Sequence, residues 1–378
     1  MLGRAATPHA APVITPGRLD AVTASLPAGA HAPGERLSAQ LGLTERVLAG
    51  PRLRKLLGIV ESGLDEVERS LARELKVTDA LADATTRYLY EAGGKRVRPM
   101  LTLLTAQLGA GTTAHVIAGA TALEMTHLGS LYHDDVMDGA DVRRGVPSAH
   151  AVWGNNVAIL TGDLLFSRAS QLMAQIGERA IRLQADTFER LVLGQMHETV
   201  GPQAGDDPVE FYLKVLSDKT GSLIAASAQA GALFSDAPDA YVQPVLEYGE
   251  KVGVAFQLLD DVIDLSADAG ATGKVPGTDL RAGVPTMPSL LLARASDPAS
   301  RSLKATIDDG VLRIADGADP AILDDAIAQL RDHPATAETR RQAYAWADAA
   351  VAALDPLPAG AVRDALVKLS QVIVDRSS

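Results

Sequence analysis

Cysteine is absent from the 378-residue chain, which excludes disulfides, thiolate zinc sites and cysteine nucleophiles together. Aromatic residues make up only 4% of it, so a large sheet has little support. Basic residues are outnumbered: 35 Lys and Arg against 47 Asp and Glu leave a formal charge of −12. That balance excludes a general nucleic-acid surface driven by counterion release. Any polyanion must be met by local cations or by metal. No apolar run approaches the roughly 18 to 20 residues of a membrane span, and the N-terminus lacks the charged start and apolar stretch of a secretory signal. A cytoplasmic protein is expected. Apolar material is plentiful, at 47% of residues, enough for a large buried core.

Residues 1–42 are rich in Ala, Pro, Gly and Thr without a sustained period, as in TPHAAPVITPGRLD from Thr7 to Asp20, and read as a mobile tail. From residue 43 to 378 one helical domain is expected. Val60, Leu64, Val67, Leu71 and Leu75 repeat at helical spacing. The same pattern recurs over Leu101–Leu108, His115–Met137, Ala151–Ile176, Ala180–Val200, Thr220–Phe234, Tyr241–Leu265, Pro288–Arg294, Ala337–Leu354 and Ala361–Ile373. Short breaks marked by Gly and Pro separate these stretches, which suggests neighbouring antiparallel helices. The reading is an all-α fold, a single large helical bundle in which two aspartate-rich helices face a central cavity.

The first of those helices ends in HLGSLYHDDVMD, carrying Asp134, Asp135 and Asp138. At 100° per residue Asp134 and Asp138 lie about 40° apart and Asp135 about 60° from Asp138, so all three can project from one side. Three like charges there need a cation, and oxygen ligands without His or Cys favour a hard ion such as Mg²⁺. A solvated, acidic helix end would explain one such motif. The second, Asp260, Asp261 and Asp264 in FQLLDDVIDL, lies on a helix apolar almost all round, where carboxylates require compensation. Two clusters facing each other would make a cage for several Mg²⁺ ions, which commonly keep substrate phosphates in their shell. Cations are supplied by Lys95, Arg96 and Arg98 in GGKRVRP and by Arg143 and Arg144 in DVRRG, with Lys219-Thr220 and Lys274 extending the set.

GGKRVRP, ExxHLGSLYHDDVMD, VRRG, KTG, FQLLDDVID and GKVPGTDL, in this order and spacing, resemble the trans-isoprenyl (all-E polyprenyl) diphosphate synthases. The resemblance covers Arg87 to Leu291 in detail and implies an isoprenoid synthase-like fold and a homodimer. It implies a Mg²⁺-dependent prenyltransferase, with three ions per active site, that joins isopentenyl diphosphate to an allylic diphosphate. Asp134, Asp135 and Asp138 would hold metal on the allylic diphosphate, and Asp260 a further ion supported by Asp261 and Asp264. Arg143, Lys219 and Lys274 would contact that diphosphate. Lys95, Arg98, His127 and Arg144 correspond to the isopentenyl diphosphate site, while Thr220 and Gln257 would border the reacting carbons. Gln195 and Glu198 match weaker positions near the metals. The chain departs from its relatives at Val284, where many have Lys; Lys274 and Arg281 are the candidates to replace that charge.

Gly129 and Ser130 lie about one turn deeper than Asp134, roughly 6 to 7.5 Å, where relatives that stop at short products have bulky aromatics. Small residues there point to an open tunnel and a C30 to C50 product, a quinone side-chain precursor, and Gly129→Phe is expected to shorten it. The alternative for Gly129 is close helix packing. Competing readings of the whole chain are a geranylgeranyl diphosphate synthase, a class I terpene cyclase, whose second metal motif normally mixes Asn, Ser or Thr and Glu, and a non-catalytic subunit of a heteromeric synthase.

Overall fold

The computed structural model describes residues 50–266 and 275–375. The N-terminal tail and Lys274 lie outside the described residues. Among the described residues sixteen α-helices follow in chain order: α1 (Pro51–Glu74), α2 (Ala80–Glu91), α3 (Val97–Ala106), α4 (Ala114–Met137), α5 (Ala149–Trp153), α6 (Asn155–Ile176), α7 (Glu178–Val200), α8 (Pro208–Leu216), α9 (Ser222–Phe234), α10 (Val242–Asp264), α11 (Thr278–Arg281), α12 (Met287–Arg294), α13 (Pro298–Ala315), α14 (Asp324–Arg331), α15 (Pro334–Ala353) and α16 (Ala361–Asp375). Starts are chemically marked. The side chains of Asp79, Thr113, Asp207 and Asp297 accept backbone N–H groups of the first turns they precede, and Pro opens α1, α8, α13 and α15.

Two helices form the centre. α4 is buried on nearly every side from Val116 to Tyr132, and α9 from Ser222 to Phe234 is built largely of Ala, Ser and Gly, the pattern of helices enclosed by others. Small residues let their neighbours come close. A Cβ on Gly231 would lie 2.1 Å from both the Thr102 carbonyl and the Thr105 hydroxyl of α3. Those two threonines use the same proximity to donate to the carbonyls of Ser227 and Ala228 at 2.8 Å each. A second, smaller core gathers Leu265, Leu280, Leu303, Ile307, Leu323 and Leu330 beyond the end of α10. Leu291 packs against both cores.

Where observed and expected helices differ, local causes are visible. The stretch Ala151–Ile176 is broken at Gly154, whose φ of +85° ends α5 and starts α6. The segment beginning at Thr220 is instead continuous with α8 through a π-helical turn, Ser217–Gly221. α2, α8, α13 and α14, unassigned from periodicity, are short or strongly polar. The one sheet among the described residues is a two-residue hairpin, Val142–Arg143 with Val146–Pro147. Arg144 and Gly145 sit at its corner with φ of 53° and 77°, as a tight primed turn requires.

Gly231→Ala should therefore lower stability by about 1–3 kcal/mol through overpacking. Gly58, exposed in α1 with nothing within 4 Å of its would-be Cβ, should show the opposite sign. Gly58→Ala is expected to stabilise by about 0.5–1 kcal/mol, and urea unfolding of the two variants checks both.

Candidate active site

Each aspartate triplet is split by the fold. Asp134 and Asp138 stand at the C-terminal end of α4. Burial pushes the Asp134 carboxyl up to about 6; Lys219 and Arg143 act against that shift, while Asp138 and Glu198 add to it. Asp135 is fully buried. Its Oδ1 accepts from Arg143 Nε at 2.6 Å, and its Oδ2 has no hydrogen-bond partner. At the second motif Asp260 and Asp264 are partly exposed, and Asp261 is buried. The Asp261 Oδ2 accepts from the Tyr212 hydroxyl at 2.8 Å and from the Met287 N–H, which opens α12, at 2.9 Å. Burial raises this carboxyl to about 8 even against those two donors. The middle residue of each triplet, Asp135 and Asp261, is thus buried and braces the chain, while Asp134, Asp138, Asp260 and Asp264 are less buried.

Asp264 has a further local role. Its Oδ2 accepts the Asp279 N–H at 3.3 Å and its carbonyl accepts the Gly277 N–H at 2.6 Å, so the chain beyond the second motif doubles back onto it. Arg281, a candidate for the missing loop charge, is engaged elsewhere. Its guanidinium donates to the Pro320 carbonyl and, at 2.6 Å, to Asp324.

Lys219 and Glu198 tie the two acidic motifs together. The Lys219 ammonium is ion-paired with the Glu198 carboxylate and lies within electrostatic reach of Asp134. Glu198 in turn contributes to raising the hydroxyl of Tyr212, the partner of Asp261. Glu198, weakly indicated by sequence, is thus central. On the same helix, Gln195 has a buried Oε1 without a partner. Thr220 follows Lys219 in the π-turn, and Gln257 is partly buried on α10.

A second charged cluster surrounds His127 on α4. Burial first, then Arg98, Arg144, Arg96 and Arg143, hold its imidazole well below the ordinary histidine range. It is therefore neutral near pH 7 and offers a hydrogen-bond donor without charge. Arg98 is lowered by burial, and its Nε has no partner. Arg144 is lowered to about 10, chiefly by burial, and donates to the carbonyls of Leu89 and Gly93. Glycine makes this crowding possible: at Gly94, φ +152°, a Cβ would lie 3.1 Å from the Arg144 guanidinium carbon and 2.5 Å from Arg96. Arg96 itself is a support, bonded to Glu68 at 2.5 Å and Glu124 at 3.2 Å and lying over the Tyr90 ring. Lys95 is exposed at the same turn. Sequence reasoning missed Tyr212 and the structural use of Glu124; only the ExxH spacing hinted at the latter.

Among the described residues no group of three His, Asp or Glu side chains is placed to hold a metal by itself. Mg²⁺ characteristically takes only one or two carboxylates and completes its shell with water and phosphate oxygen. The donors at Asp134, Asp138, Asp260 and Asp264 suit that coordination, and a carboxyl raised by burial beside like charge is one that a cation would relieve. Gly129, in turn, does not border open space. Its Cβ would lie 3.1 Å from the Gly162 carbonyl and 3.2 Å from the Phe166 ring on α6, so the packing alternative holds. Ser130 is buried and donates to the His127 carbonyl at 2.9 Å.

Two acid-bearing helix ends linked through Lys219 and Glu198, beside a cluster of arginines around His127, place the chain among all-helical enzymes with paired aspartate motifs. Residues 79–315 match the Polyprenyl synthetase family. The chain is 44% identical over 319 residues to the nonaprenyl diphosphate synthase of Mycobacterium tuberculosis, covering 84% of this chain and 93% of that one. A polyprenyl synthase from Caulobacter crescentus, solved with calcium and isoprenyl diphosphate, superposes with a TM-score of 0.77 at 31% identity, covering 86% and 98% of the two chains. A geranylgeranyl pyrophosphate synthase from Corynebacterium glutamicum, solved with the same two ligands, gives 0.75 at 36% identity, covering 87% and 98%. The chain belongs to the polyprenyl synthetase family and is a prenyltransferase.

His127 should titrate below an ordinary histidine in the free enzyme, because burial and the surrounding arginines disfavour its charged form. NMR titration of its imidazole checks the direction, and a midpoint at or above the ordinary histidine value would contradict it. Gly129→Phe should lose stability through collision with the Gly162 carbonyl whatever the product length, a result that thermal unfolding reads directly.

Proposed function

We propose that this protein condenses isopentenyl diphosphate with an allylic diphosphate in trans to give a medium- or long-chain polyprenyl diphosphate, C30 to C50. The observation that carries the reading is the juxtaposition of two differently built anion sites. One joins acidic motifs to Lys219 and suits a metal-bound diphosphate. The other, around His127, is lined by arginines. Preference for a long product over geranylgeranyl diphosphate rests on the higher identity to the nonaprenyl enzyme, 44% against 36%.

Asp134, Asp138, Asp260 and Asp264 would hold Mg²⁺, three ions per site, with Asp135 and Asp261 bracing them. A metal held there would supply Lewis-acid charge neutralisation for the allylic diphosphate as leaving group. Lys219, Arg143 and Lys274 add fixed positive charge around the same leaving group, and their effect grows as charge develops on it. Lys95, Arg98, neutral His127 and Arg144 bind the second diphosphate and orient the isopentenyl double bond toward the allylic carbon. The Thr220 hydroxyl and the Gln257 amide present dipoles to the cationic carbons. No protein nucleophile takes part. The released diphosphate, already adjacent, takes the proton whose loss completes the new double bond. The apolar walls of α4 and α9 keep water from the cation.

The assembly is a homodimer in this proposal, located in the cytoplasm. Val192, Leu193, Met196 and Val200 along one face of α7, with Ile159 and Leu160 on α6, are exposed. Such a patch is unusual on a monomer. No helix among the described residues is long and apolar enough to cross a membrane.

Purified protein supplied with Mg²⁺, isopentenyl diphosphate and allylic primers of several lengths should yield products of at least C30. Products ending at C20 would select the geranylgeranyl reading, and no turnover with any primer would select a non-catalytic subunit. Chelation by EDTA should abolish turnover and added Mg²⁺ restore it. Asp134→Asn and Asp260→Asn should each lower kcat by about 10²- to 10³-fold while circular dichroism stays unchanged.

A further inference from the structure

Lys219 and Thr220 sit in the π-turn Ser217–Gly221, an arrangement that accommodates an extra residue in one turn and is rare because it forfeits regular hydrogen bonding. Its neighbours touch it by bare backbone. A Cβ on Gly194 of α7 would lie 2.5 Å from the Lys219 nitrogen, and one on Gly253 of α10 would lie 2.7 Å from the Gly221 Cα. What grips the turn through side chains is Arg190 of α7. Its guanidinium donates to the Asp218 Oδ1 at 3.1 Å, to the Ser217 hydroxyl at 3.1 Å and to the Glu250 carboxylate of α10 at 2.9 Å. Ser217 donates onward to Glu250 at 2.8 Å, and Lys214 pairs with Asp218 at 2.5 Å. The network joins two cations and two anions across three helical segments, and the two residues it grips immediately precede Lys219.

We propose that Arg190, acting with Glu250 and Ser217, is a positioning residue that holds the π-turn in the register aiming Lys219 and Thr220 at the allylic diphosphate. The inference rests on the role assigned above to Lys219. Removing Arg190 leaves Asp218 and Glu250 as like charges on adjoining segments with Lys214 as the remaining cation of the network. Relaxation of the extra residue into a regular helix would swing the following side chains by about 100°, taking Lys219 away from Asp134 and Glu198. Nothing in the network touches the cluster around His127, so the two substrates should respond differently.

Steady-state kinetics of the full-length enzyme tests this. Arg190→Ala should raise KM for the allylic diphosphate and lower kcat, together about 10- to 100-fold in kcat/KM, with KM for isopentenyl diphosphate within about twofold of wild type. In a Lys219→Ala background the same change should cost little more, because both act through one side chain. Arg190 borders an open cavity of about 450 Å³ between α7, α9 and α10, so guanidinium chloride at non-denaturing concentration should enter and restore part of the Arg190→Ala rate. Arg182→Ala, on the far rim of that cavity, should keep wild-type kinetics and gain nothing from guanidinium. Equal losses toward both substrates, losses that follow the folded fraction, or additive effects of the Arg190 and Lys219 changes would overturn the inference. An unimpaired Lys219→Ala enzyme would instead remove the assignment on which it stands. Should Arg190→Ala not fold, Glu250→Gln keeps the side-chain shape and carries the test. A selective rise in allylic KM is expected, and an unchanged value overturns the proposal.

Discussion

Like charges brought close together repel one another, the more so where burial strips them of water, and this chain assembles two such crowds side by side. Carboxylates gather around Lys219, and arginines gather around His127. The members that are buried would not persist without internal compensation. Much of the polar structure described above is that compensation: Asp135 on Arg143, Asp261 on Tyr212 and the start of α12, Arg96 between Glu68 and Glu124. Asp134, Asp138, Asp260 and Asp264 are less buried than the two braced aspartates between them.

Glycine supplies the geometry that this electrostatic arrangement needs. Gly94 lets two arginine side chains pass within contact distance of backbone, Gly145 closes the hairpin that presents Arg143 and Arg144, and Gly194 and Gly253 let two helices press on the turn carrying Lys219. At Gly94 a Cβ would displace arginine side chains, at Gly194 and Gly253 it would push on the backbone of the turn, and at Gly145 it would strain a φ of 77°; catalysis by fixed charge depends on position. Gly129 belongs to the same class of residues, with a different duty: it seats α4 against α6.

The helical class and most helix positions were legible because apolar residues recur at a clear period over stretches as long as α4 and α10. The acidic and basic motifs were legible because each is contiguous in sequence. Less legible were interactions between segments far apart along the chain. Nothing near Asp261 announces Tyr212, 49 positions away, and nothing in DVRRG indicates that Arg144 reaches the carbonyls of Leu89 and Gly93. The openness assigned to Gly129 failed for the same reason, because its neighbour lies on another helix.

Sequence by itself determined the all-α class, the two aspartate triplets, the basic motifs and, through their order, the family, since each is written in local spacing and side-chain chemistry. Tertiary structure alone decided which member of each triplet is buried as a brace and which arginines are consumed as supports. It also decided that Lys219 stands on a π-turn held from two other helices. Those outcomes depend on burial and on partners brought together by packing, quantities that no local stretch of sequence contains.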